Sequence, residues 1–144
     1  IWESLAICEY LAELQPERGW WPAAAPERAR ARTISSEMHA GFAALRQTLP
    51  MNIRARGLTY EDSPEVAADI ARIIAIWQDC LGANGGGRKG EPFLFGRFGI
   101  VDAMFAPVVS RFRSYGVALD GSVADYAEAL WQHPGMQAWA ALRD

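Results

Sequence analysis

The residues best placed to do chemistry stand at the start of the chain. Glu3 and Ser4 open the stretch "ESLAICEYLAEL", in which Ile7, Leu11 and Leu14 recur at the i, i+4, i+7 spacing of one helix face, with Tyr10 beside them. Ser4 precedes the apolar pattern, where an N-cap belongs, and a capping hydroxyl accepts a bond from an amide of the first turn. The open amides of that turn, together with the helix dipole, favour an anion. A serine at such a tip can hold a carboxylate or a phosphate, and an acid just outside the helix can take an ammonium. Glu3 and Ser4 therefore suit both charges of an amino-acid zwitterion. Taken alone, the pair reads first as a plain cap and a surface acid.

Other candidates reduce to structure. His39 and His133 are far apart, no Cys, His and Asp cluster has metal-ligand spacing, and no G-x-S-x-G is present. His39 follows Met38 inside a helical pattern and reads as a packed or surface histidine. Gly85, Gly87 and Gly90 match G-x-G-x-x-G by spacing. A nucleotide-binding version needs a strand before it and a helix after it, whereas here a helical pattern precedes and Glu91-Pro92 follows. The P-loop pattern fails as well, because Arg88 stands where its lysine should be. The stretch reads as a flexible loop. Asp102 follows Gly99 by three residues, so its carboxylate can reach back to the Gly99 amide as half of a capping box. That makes Asp102 a buried structural acid. No self-contained catalytic constellation is visible.

The elements that must position these residues are helical. The chain of 144 residues is 51% apolar and 22% charged, with six Trp and six Phe, enough for one domain with a sizeable core. A net charge of −3 gives no electrostatic support to nucleic-acid binding. No apolar run reaches the roughly 18–20 residues that span a bilayer. Cys8 and Cys80 both fall inside helical patterns and read as buried, reduced thiols. After the first helix, "QPERGWWPAAAP" is a connector whose two tryptophans suggest that it is pinned to a surface. A second helix is expected over 26–49, with Ile34, Met38, Phe42, Leu45 and Leu49 as its apolar stripe and Ser36, Ala40, Ala43 and Ala44 as a small-residue face. "SPEV" starts a third helix, with Ser63 as cap and Val66, Ile70, Ile73, Trp77 and Leu81 as its stripe. From Ile100 to Phe112 the chain is apolar nearly all round, as in a centrally buried helix, and Pro107 sits inside it. Shorter helices follow at about 121–132 and 135–143. With no strand pattern, the fold class is all-α: a bundle of about five helices preceded by one N-terminal helix.

These parts together resemble the cytosolic glutathione transferases. "ESLAICEYL" is similar to the Glu/Asp-Ser-x-Ala-Ile stretch that begins the last helix of their thioredoxin-like domain, and the Pro- and Trp-containing connector to their interdomain linker. "FGIVDAMFAPVV" sits where the family has a Ser/Thr-x-x-Asp capping box, with Gly99 in the Ser/Thr place; glycine is a tolerable N-cap. "SSEMHAGFAALRQTLPMN" resembles a bacterial branch close to the zeta-like enzymes. The resemblance covers essentially the whole chain and implies a division into 1–14, the last thioredoxin-like helix, 15–25, the linker, and 26–144, the all-α C-terminal domain.

It also implies functions. Ser4 and the tip amides would bind the α-carboxylate of glutathione's γ-glutamyl end, and Glu3 would help with its ammonium. Met38, Phe42, Arg46 and Tyr115 would line the electrophile pocket, Arg46 receiving an anionic group. Glutathione would be the co-substrate, with no metal. The protein would be a cytoplasmic homodimer acting in detoxification, with no nucleic-acid or membrane partner. The family's catalytic Ser, Tyr or Cys lies ahead of the Glu-Ser stretch, so the catalytic residue is expected upstream of this chain, and the chain alone is expected to be inactive. A non-catalytic helical module for dimerisation or protein interaction, and a zeta-like glutathione-dependent isomerase, are the alternatives.

Overall fold

The computed structural model describes residues 1–83 and 92–142. The glycine stretch containing Gly85, Gly87 and Gly90 lies outside the described residues. Seven α-helices are present among the described residues: α1 Ser4–Leu14, α2 Ala25–Ala40, α3 Ala43–Thr48, α4 Pro64–Ala83, α5 Ile100–Tyr115, α6 Gly121–Gln132 and α7 Pro134–Ala141. One 3-10 turn, Pro16–Arg18, follows α1. Extended pairing among the described residues is confined to an isolated bridge between Phe93 and Gly96. The fold is all-α.

The bundle is built around α5, ten of whose sixteen residues are buried, as its all-round apolar sequence requires. Helices α2 and α6 pack against it. From α4 come Val66, Ile73, Trp77 and Leu81, all buried, while Ile70 is half-buried. Trp77 is the hub of the core: its ring centroid lies 5.7 Å from Phe105, 5.7 Å from Phe112 and 5.0 Å from Tyr126. Tilted and edge-on ring packing of this kind adds about 0.5–1.5 kcal/mol per pair beyond burial. The start of α4 is as its sequence suggests, with the Val66 amide donating to the Ser63 Oγ at 3.3 Å.

One expected element is divided. The helix read over 26–49 stops at Ala40 and resumes at Ala43, because Phe42 takes a left-handed backbone with φ 59°. The break is stabilised from two sides. The Arg46 guanidinium folds back to donate to the carbonyls of Met38, His39 (3.0 Å) and Gly41 (3.1 Å), which the end of α2 leaves without helical partners. Asp69 of α4 accepts the Leu45 amide at 3.0 Å, capping the start of α3. The apolar stripe nevertheless survives intact: Ile34, Met38, Phe42, Leu45 and Leu49 are all buried. On the small-residue face, Ser36, Ala40 and Ala43 are exposed and Ala44 is half-buried.

The connector is pinned, as its tryptophans suggested. Trp21 is buried and Trp20 half-buried, and Arg28 donates to the Pro22 (2.9 Å) and Ala23 (2.6 Å) carbonyls. Helix α1 lies on the outside of the bundle. Leu5, Cys8 and Ala12 touch the core, while Ile7, Tyr10, Leu11 and Leu14 face solvent. Arg32 of α2 binds Glu9 through two hydrogen bonds of 2.7 and 2.9 Å, tying the two helices together.

Candidate functional site

Glu3 and Ser4 do come together at an exposed helix tip, but their local roles differ from the sequence reading. Helix α1 begins at Ser4, and the N-cap is Glu3, with no side-chain capping bond. Ser4 is therefore in the first turn and is not the cap. The reason is backbone geometry: the Ile7 amide closes the first turn on the Glu3 carbonyl at 2.9 Å. The amides of Ser4, Leu5 and Ala6 precede that bond and have no helical acceptor of their own. Glu3 carries φ 73° and ψ 120°, a positive-φ conformation that costs a glutamate about 1–3 kcal/mol and that tends to mark functional positions. Its carboxylate meets the His39 Nε2, near the end of α2, at 2.7 Å. The tip thus offers open amides and a hydroxyl to an anion, and a carboxylate to a cation.

Among the described residues no group of His, Cys, Asp or Glu is arranged to hold a metal ion. Both thiols are free and neither is activated. Burial pushes the Cys8 and Cys80 thiols up, and Glu9 adds to the effect at Cys8. Among the described residues no helix is long and apolar enough to cross a membrane.

The four residues assigned to an electrophile pocket fall into one neighbourhood. Met38 and Phe42 are buried in the core, and Arg46 donates to the Met38 carbonyl. Tyr115, half-buried at the end of α5, donates its hydroxyl to the Pro50 carbonyl at 3.1 Å and meets Tyr60 edge-on. Arg111 joins them and was not singled out from sequence. It donates to the Leu49 carbonyl at 2.9 Å; its pKa is lowered by burial and then by the nearby Arg46 charge, with Tyr115 opposing. An arginine on the apolar face of a central helix was the available signal. Clefts among the described residues lie elsewhere. One, about 470 Å³, runs between the connector and the start of α5, past Trp20, Trp21, Glu27, Phe95 and Arg97. Another, about 180 Å³, is an apolar groove bounded by Cys8, Leu11, Trp20 and Phe98. A third, about 220 Å³, lies between α5 and α6. Met38, Phe42, Arg46 and Tyr115 line none of these three.

Gly99 and Asp102 meet at the start of α5. Asp102 Oδ2 accepts the Gly99 amide at 2.8 Å and Oδ1 accepts the Leu94 amide at 3.2 Å. The carboxyl is fully buried, and burial pushes it up to about 7 against the pull of these two donors. Tyr126, buried beside it, pulls in the same direction as the two amides, although its hydroxyl makes no hydrogen bond of good geometry. Glycine at 99 has a local cause: a Cβ there would stand 2.6 Å from the Trp20 carbonyl oxygen.

An all-helical bundle whose buried central helix is closed by its own aspartate, with a leading helix on its outside, defines a class of domain. Residues 23–142 match the family model described as "Glutathione S-transferase, C-terminal domain", and the chain belongs to that family. The fold is similar to that in a crystal structure of a glutathione transferase homologue from Burkholderia with bound glutathione. The two share 23% sequence identity at a TM-score of 0.64, over 96% of this chain and 64% of that one. The chain therefore spans less than two thirds of that protein's length. No curated protein matches the sequence.

Proposed function

We propose that the chain is the helical part of a glutathione transferase, and that the tip of α1 seats the γ-glutamyl end of glutathione. The observation that carries this reading is the strained Glu3 N-cap, which leaves three amides and the Ser4 hydroxyl open at an exposed helix start. In this reading residues 1–14 are the last helix of a thioredoxin-like domain, 15–25 the linker and 26–144 the helical domain. The γ-glutamyl carboxylate accepts from the first-turn amides and Ser4, and its ammonium meets Glu3. An upstream hydroxyl or thiol stabilises the thiolate of glutathione. The thiolate sulfur then bonds to an electrophilic carbon, and the leaving group departs with the bonding pair. Met38, Phe42 and Tyr115 supply the apolar side of the electrophile's pocket, and Arg46 with Arg111 its positive side. The bacterial zeta-like branch, with its isomerase chemistry, falls within the same proposal, as does a cytoplasmic homodimer.

A second reading has its own support. Neither thiol among the described residues is activated, and the small-residue face formed by Ser36 and Ala40 of α2 with Ala43 of α3 is exposed, as a non-catalytic dimerising module would require. Conjugation of glutathione to a chlorodinitroarene separates the two. The transferase reading expects turnover by the full-length gene product and none by residues 1–144 alone. Turnover by neither favours the module, and turnover by residues 1–144 overturns the upstream catalytic group.

A further inference from the structure

Glu3 is not free at the tip: its carboxylate is held by His39 Nε2 at 2.7 Å, across from one helix to another. His39 stands on the last turn of α2, one residue before its end, and the Arg46 Nη2 grips its carbonyl at 3.0 Å. The imidazole is thus mounted on a helix end that is itself fixed by α3. Glu3 sits in a strained backbone as the N-cap of α1. His39 is anchored through α2 and Arg46, and its Nε2 helps set where the Glu3 carboxylate points. Among the described residues, Glu3, the N-cap of α1, meets the imidazole, and the Arg46 charge of α3 lies at the His39 carbonyl.

We infer that His39 is a positioning residue of the glutathione tip, and that its protonation weakens the capture of the ligand's ammonium by Glu3. This rests on the reading of the tip given above. A neutral imidazole donates one N–H to the carboxylate and leaves its full negative charge available to a cation. A protonated imidazole neutralises the pair, so an incoming ammonium meets a dipole where it had met an anion. The pair is partly exposed, with the His39 side chain 39% accessible, so the effect is that of a surface ion pair.

The test is calorimetric titration of the full-length gene product with glutathione and with its des-amino analogue, which lacks the ammonium, at about pH 8 and about pH 5.5. Wild-type affinity for glutathione is expected to fall about three- to five-fold on acidification, while that for the analogue stays within about two-fold. His39→Gln keeps an N–H donor without a titrating charge. It should retain affinity near the wild-type value at high pH and lose the pH dependence. His39→Ala should bind glutathione about three- to five-fold more weakly at high pH. If wild-type protein binds glutathione and both variants match it at both pH values, the inference is overturned and the tip reading stands. If wild-type protein binds no glutathione, the tip reading falls and the inference with it.

Discussion

The Trp20 carbonyl oxygen accepts the Ile100 amide at 3.1 Å, so the connector is docked on the first turn of the central helix. Arg97 strengthens the contact by donating to the Arg18 carbonyl at 2.8 Å. The close approach needs a residue without a side chain at 99. Gly99→Ser would add a capping hydroxyl, ordinarily a gain of a few tenths of a kcal/mol over glycine. Here its Cβ would fall 2.6 Å from the Trp20 oxygen, and the rigid partner is backbone. The substitution should therefore destabilise the protein by about 1–3 kcal/mol in urea unfolding. A gain in stability would show that the connector is not held as described.

Asp102 gives stability an unusual pH dependence. Its folded pKa, about 7, lies above its ordinary value of 3.8, so the folded chain binds this proton more tightly than the unfolded one. The contribution is fully present below the ordinary value and is lost as pH rises to about 7; above that it is constant. Unfolding free energy measured from about pH 5 to about pH 8 should fall and then level for wild type, and the slope should shrink for Asp102→Asn. Identical profiles would mean that the carboxylate is already ionised throughout. Asp102→Ala should cost about 2–4 kcal/mol, since it strands the Gly99 and Leu94 amides.

Arg46 has a structural duty that can be separated from any role in the pocket. Removing its guanidinium uncaps the end of α2, so Arg46→Met should cost about 1–2 kcal/mol. If Arg46 also meets the electrophile, the variant of the full-length protein should lose kcat/KM for anionic electrophiles by about ten-fold while conserving it for neutral ones. Equal losses for both classes would confine Arg46 to capping.

Much of the fold was legible because one rule recurs. Val66, Ile73, Trp77 and Leu81 repeat at helical spacing and are buried, and the all-round apolar stretch of α5 is the centre of the bundle. The three-residue spacing of Gly99 and Asp102 was enough to find the α5 start. The break at Gly41 and Phe42 was hidden because the stripe from Ile34 to Leu49 stays on the core side across it, so periodicity runs on while the helix does not. Serine is a common N-cap, but a glutamate held at positive φ has no sequence signature, and this displaced Ser4 by one position. Bonds between distant elements, such as Glu3 to His39 or Asp69 to the Leu45 amide, depend on how helices dock and could not be read from spacing.

The central claim is that the open tip of α1 holds the γ-glutamyl carboxylate, and Ser4→Ala in the full-length gene product tests it most directly. A hydrogen bond to a charged group contributes about 1.5–3 kcal/mol. Calorimetry should therefore show glutathione binding weakened about ten-fold or more, with thermal stability little changed because Ser4 makes no capping bond. Unchanged affinity for glutathione would contradict the account.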